Sequence, residues 1–138
     1  MVELALCLMG FLLLSIGSME FGWGIYAYNF CAFAAQDAAR WASVRGSSSV
    51  LSGAPATNDS ITAFVKSEAV GLDPSLITVT TTWMTPGPPP VTSTTPTGYD
   101  AAGDYLVVTI GYTIKPLAGL AMTQNILVSS TAQYVISN

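Results

Sequence analysis

The sequence predicts an α+β protein: a long N-terminal α-helix, the stick, packed at its C-terminal half against a small antiparallel, three-stranded β-sheet head with one short extra helix. Three observations carry this. Residues 4–19 and 21–36 hold no charge, and no proline occurs before Pro55. Small residues recur every three or four positions in the second part of that run. Three later stretches alternate apolar and polar residues with the period of a strand. The 138 residues suffice for one modest domain. Of them 51% are hydrophobic and only 9% charged, far below the usual quarter or so, and the excess is concentrated in the first third. After Gly46 the chain is rich in Ser and Thr. The expected division is a protruding apolar half-helix over residues 1–25 and a head over residues 26–138 that includes the rest of the helix.

The helix is expected from Glu3 to Arg45. Its Leu, Ala and Met favour helix, and Gly46 followed by three serines is a stop. At 1.5 Å per residue it is about 65 Å long, more than a head of this size can cover. Lipid or other copies of the chain must bury its first half. A bilayer span needs about 20 apolar residues. Residues 4–19 supply 16, with Glu20 near one boundary. The start has neither the basic residues nor the small-residue cleavage site of a secretory signal, and no Lys or Arg precedes Arg40. A basic leader, already removed, is the expectation. Leu4, Leu6, Leu8, Phe11, Leu12, Leu13, Leu14, Ile16 and Phe21 are the candidate packing residues of a multi-copy core. Gly10, Gly17, Gly22 and Gly24 each cost about 1 kcal/mol in helix relative to alanine. Gly17, Gly22 and Gly24 are the candidate points of flexure; a tolerated helical glycine is the alternative.

In the second half, Ala27, Cys31, Ala34, Ala35, Ala38 and Ala42 form a stripe on one face. It fits packing under the head or close approach of a second helix equally well. Tyr26, Phe30, Phe33 and Trp41 run beside it and are expected to cover the sheet, with Asp37 and Arg40 paired on the exposed side. Cys7 and Cys31 are 24 residues apart, roughly 36 Å along a helix. An intrachain disulfide needs Cα atoms within about 7 Å, so both are read as small apolar residues, an intersubunit bridge being the alternative.

Beyond the loop at residues 46–57, "NDSITAFVKSEAVGLDP" reads as a short helix capped by Asn58 or Asp59. Its inner face is Ile61, Phe64, Val65 and Ala69, and Gly71 and Pro74 end it. "NDS" also matches the N-glycosylation pattern, but it coincides with the cap. "SLITVTTTWM" is the first strand, with Ile77, Val79, Thr81 and Trp83 on one face. "TPGPPPVTSTTPTG" is an extended loop whose Thr92, Ser93, Thr94, Thr95 and Thr97 are candidate glycosylated residues. "DYLVVTIGYTI" follows, with Leu106, Val108, Ile110, Tyr112 and Ile114 facing in. "KPLAGLAMTQ" connects to "NILVSSTAQYVI", where Ile126, Val128, Ala132, Tyr134 and Ile136 face in. Sequential strands commonly neighbour, giving a meander covered by the helix. The expected head core is Phe30, Phe33, Trp41, Ile77, Val79, Leu106, Val108, Ile110 and Tyr134.

Several functions are disfavoured. The net charge of −4 with no basic run argues against nucleic acid. Histidine is absent, which removes the commonest metal ligand and neutral-pH base. With no carboxylate cluster and no glycine-rich phosphate loop, no catalytic residue, metal or cofactor is expected, and no enzyme. Asp100 and Asp104 read as solvated loop charges or turn formers.

Val2–Glu3 ahead of the apolar run, then "EFG" at residues 20–22, the aromatic and alanine-rich residues 26–35 and "AARWASVRG" at residues 38–46 resemble the N-terminal signature of TadE-like pilins. This is the tight-adherence branch of the type IV pilin superfamily. "YLVVTIGYTIKPLAG" resembles that family's late strand and its "P-L" turn. The resemblance covers the first third strongly and the late strands loosely. It implies a leader cut by a prepilin peptidase on the cytoplasmic side and a mature subunit held in the inner membrane. That subunit is then polymerised by the pilus assembly machinery into an extracellular helical filament of many copies. It also implies that Glu3 pairs with the N-terminal amine of a neighbouring subunit, since a buried carboxylate is costly unless paired. Stabilising the helix dipole is the alternative for Glu3. The acid stands nearer the first residue than type IV pilins place it, which leaves the mature N-terminus open. The expected function is a structural subunit of such a pilus. A minor pilin that primes or caps assembly, or a single-span membrane-anchored binding module, are the alternatives.

Overall fold

The computed structural model describes residues 2–116 and 124–137. Helix α1 runs unbroken over Val2–Ser43, and Gly17, Gly22 and Gly24 lie inside it. Helix α2 (Asn58–Glu68) follows, then a 3-10 turn at Pro74–Leu76 and strands β1 (Ile77–Thr85), β2 (Val91–Ser93), β3 (Tyr105–Ile114) and β4 (Ile126–Val135). All pairings are antiparallel, in the order β2-β1-β3-β4.

The meander of three long strands is present, but the sheet has four strands. The extra one lies in the Thr/Pro stretch, where Val91, Thr92 and Ser93 pair with Thr85, Met84 and Trp83. Proline cannot donate to a ladder, so such segments pair only at an edge, where β2 sits. Register places Ile77 opposite Tyr112 and Trp83 opposite Leu106 on one side of β3. On the other side Leu106 faces Tyr134 and Ile114 faces Ile126.

The core forms where α1 crosses the sheet. The whole stripe, Ala27, Cys31, Ala34, Ala35, Ala38 and Ala42, is buried. Opposite it the sheet supplies bulk: Ile77, Trp83, Leu106, Val108, Ile110, Tyr112 and Ile114 are all buried. Small residues on the helix let its axis approach closely, and large ones on the strands fill the space. The stripe therefore packs under the head.

The bulky residues beside the stripe divide, two packing against the core and two lying outside it. Phe33 is 68% exposed and points away, and Tyr26 is also exposed. Phe30, Trp41 and Val79 are half-buried against the core. Tyr134, expected inside, is 39% exposed because β4 is an edge strand that α1 covers incompletely. Asp37 and Arg40 form no ion pair among the described residues.

The cap of α2 is Thr57, not Asn58 or Asp59. Thr57 Oγ1 accepts from the Ser60 amide at 3.3 Å, and Ser60 Oγ accepts from the Thr57 amide at 2.9 Å. Ile61 and Val65 bury its inner face. Trp41 stacks on Phe64, centroids 5.1 Å apart, and the Arg45 guanidinium lies 4.1 Å from the Trp41 ring centroid. Arg45 also donates to the carbonyls of Trp41 and Ser52, satisfying an end of α1.

Asp100 and Asp104 are buried, not solvated. The Asp100 carbonyl accepts from the Ser47 amide at 3.0 Å, and an Asp104 carboxylate oxygen accepts from the Ala101 amide at 3.1 Å. The first joins the residues after α1 to the loop before β3, and the second closes that loop on itself. Ser137 N–H donates to the Ser43 carbonyl at 2.9 Å and ties the C-terminal segment to the end of α1. The connection expected after Lys115, including the "P-L" turn, falls mostly on residues 117–123, outside the described residues, as does Met1.

Candidate assembly and membrane surface

The stick is the first component of the site. Val2, Leu4, Leu6, Leu8, Met9, Phe11, Leu12, Leu13, Leu14 and Met19 are exposed. Helix α1 is long and apolar enough to cross a membrane, and none of its most apolar 18-residue stretch is buried within the chain. The cause is geometric: the sheet meets α1 only from about Gly24 onward, where Ile114 Cδ1 would lie 3.9 Å from an added Cβ. Among the described residues, residues 2–14 are exposed throughout, and burial begins at the base of the stick around Ile16.

The predicted packing residues Leu4, Leu6, Leu8, Phe11, Leu12, Leu13 and Leu14 are thus displayed along the stick. Ile16 is half-buried at its base and Phe21 is exposed. The apolar residues wrap the helix instead of keeping to one stripe. A helix apolar all round is one that is buried on every side by lipid or by other helices. Glu3 lies in its first turn, where a carboxylate is favoured by the helix dipole. Ser15 and Ser18 return their hydroxyls to the carbonyls of Phe11 and Leu14, so neither offers an unsatisfied donor on the stick.

The second component is the junction of stick and head. Glu20 is 1% exposed and contributes to the walls of two clefts, one on each side of α1. The larger, about 720 Å³, lies between Ile16, Met19 and Trp23 of α1 and Val70–Gly71. The smaller, about 300 Å³, lies between Phe21, Ile25 and Tyr28 and the sheet residues Ile114, Ile126 and Val128. Tyr26 Oη donates to the Val70 carbonyl at 2.6 Å and closes the loop after α2 onto the helix.

Sequence reasoning left Glu20 without a role and missed Val70 and Leu127. Val70 is 76% and Leu127 65% exposed, at the foot of the head. Leu127 carried a signal: with Val135 it is one of two large apolar residues on a face of β4 whose other members are Ser129, Thr131 and Gln133.

The Thr/Pro segment lies at the opposite end of the head. Thr92, Thr94, Thr95 and Thr97 are exposed and Ser93 half-buried. Ser93 Oγ donates to the Thr95 carbonyl at 2.9 Å and accepts from its amide at 3.1 Å, which makes the segment a folded turn. Cys7 is exposed on the stick and Cys31 buried in the core; both are free thiols.

Together these features define a class: a stick-and-head protein whose apolar helix projects from an α+β domain. Residues 1–40 match the family model described as TadE-like protein, so the N-terminal segment is similar to that family. The match fits a protein associated with the tight-adherence pilus. No curated protein and no solved structure matches the chain.

Proposed function

We propose that this chain is a structural subunit of a tight-adherence-class pilus, held in the inner membrane before assembly and polymerised through α1 into an extracellular filament. The observation that carries the reading is the bare, all-round apolar surface of residues 2–19. Burying a Leu, Phe or Met side chain fully is worth about 1.5–3 kcal/mol. For the ten exposed side chains named above the total is on the order of 10 kcal/mol or more, enough to drive either insertion or helix–helix assembly. Lipid supplies it first and sister helices afterwards. Glu3 pairs with the terminal amine of a neighbour and sets register, because a misplaced subunit leaves two buried charges uncompensated. The head, with its Thr/Pro turn farthest from the stick, faces outward, and the protein's role is structural rather than catalytic. The TadE-like match supports the pilus association.

Electron microscopy and mass spectrometry of sheared cell-surface material test this. Fibres with this chain as the main species are expected. Trace amounts in fibres made of another protein indicate a priming or capping subunit, and a chain that stays in the membrane indicates an anchored module. Glu3→Ala is expected to abolish filaments while leaving membrane insertion intact; normal filament yield overturns the pairing role.

A further inference from the structure

We propose that the foot of the head is a bilayer-docking surface, through which the unassembled subunit sits on the lipid headgroups at a fixed depth. This rests on the reading of residues 2–19 as a bilayer span. Glu3 and Glu20 are 17 residues apart, so about 26 Å of helix separates them, close to the roughly 30 Å of a hydrocarbon core. The residues just above that limit have the chemistry of a membrane interface. Trp23 and Tyr26 lie together, ring centroids 5.8 Å apart. Trp and Tyr favour the headgroup level, where the ring is in apolar surroundings and its polar tip is wet. Helical side chains also lean toward the N-terminus, here toward the bilayer.

Chain segments remote in sequence meet at this level. The hydrogen bond from Tyr26 to the Val70 carbonyl places exposed Val70 there. Exposed Lys115 shares a cleft with Trp23, Leu76 and Tyr112, and so stands where an ammonium can reach a lipid phosphate. Ile126 walls the cleft beside Phe21, and its neighbour Leu127 is exposed. Acids stand at this level too: Asp73 feels Lys115, Glu20 is buried in the cleft walls, and exposed Glu68 lies two residues before Val70. An apolar collar with aromatic and cationic members, continuous with a span of bilayer length, fits a phospholipid surface better than a soluble partner. The other end of the head also exposes apolar residues, Val50, Leu51 and Val91, but they lie among exposed Thr92, Thr94 and Thr97 and far from the span.

The test uses the full chain in phosphatidylcholine–phosphatidylglycerol vesicles, in a Cys7→Ser background with Cys31 left buried. An environment-sensitive fluorophore is placed in turn at Val70→Cys, Leu127→Cys, Leu8→Cys and Thr94→Cys, all exposed positions whose change spares the core. Nitroxide lipids report depth. The Val70 and Leu127 labels are expected to be blue-shifted and quenched about two-fold or more by headgroup nitroxides, the Leu8 label by deep acyl nitroxides, and the Thr94 label by neither. If Val70 and Leu127 behave like Thr94 while Leu8 is quenched, the docking surface is overturned and the span survives. If Leu8 is not quenched either, the span reading falls with it. Protection of Val70 and Leu127 that appears in detergent and rises with protein concentration assigns the surface to a second copy and overturns the lipid assignment.

Discussion

Exchanging size between the stripe and its neighbour tests how α1 is seated. Ala35 is fully buried against the sheet, whereas Phe33, two residues earlier, is 68% exposed. Ala35→Leu adds three carbons where the helix lies close to the strands. Overpacking of this kind costs typically 1–3 kcal/mol, which for a head of this size lowers Tm by roughly 5–10 °C. Phe33→Ala removes a ring that is only about one-third covered. The full burial of such a side chain is worth about 1.5–3 kcal/mol, so the loss is at most about 1 kcal/mol. Had Phe33 been a core residue, the same truncation would cost about 3–5 kcal/mol. The assay is thermal unfolding in mild detergent followed by near-UV circular dichroism, which reads the packing of buried Trp83. A neutral Ala35→Leu together with a strongly destabilising Phe33→Ala would refute this seating of the helix.

Three further outcomes are expected. Gly111→Ala places a Cβ 2.7 Å from Thr78 Oγ1, and is expected to destabilise the head by about 1 kcal/mol or more; chemical denaturation should show much of the loss restored by adding Thr78→Ala. Thr57→Ala removes the acceptor that caps α2 and should cost about 1 kcal/mol in the same measurement, whereas Asp59→Ala should cost less. The Asp73 carboxyl is held below its ordinary value, first by the Ser75 hydroxyl, then by the Ser75 amide and the nearby Lys115. Its folded-state pKa is depressed, so its contribution is present above the ordinary carboxylate pKa and is lost as pH falls below it. Stability of Asp73→Asn relative to the parent should therefore converge at acid pH, in unfolding curves recorded across that range.

How much of this was legible in the sequence depended on whether the signal was local. The uncharged, proline-free run announces α1, and strict alternation announces β1, β3 and β4. The stripe of small residues was visible as a face, but periodicity does not say what a face packs against. Bulky residues usually fill cores, which argues for Phe33 inside; here the strands supply the bulk, so the helix face that enters is the small one. Tyr134 has the right parity and lies opposite buried Leu106, yet it sits on an edge strand, which parity alone does not show. Strand β2 was hidden by its prolines, and the Thr57 cap by the stronger capping preference of Asn and Asp beside it. The foot of the head could not be read at all, because Tyr26, Val70, Lys115 and Leu127 reach one level of the molecule only when the fold is complete.

The account turns on one surface, the first eighteen or so residues of α1, which the head leaves bare. Sedimentation velocity of the full chain after detergent removal, with and without lipid vesicles, tests it most directly. Without vesicles the chain should sediment as large, polydisperse assemblies, and with them it should float with the lipid. A single sharp species at the monomer mass, with no flotation, would contradict the central claim.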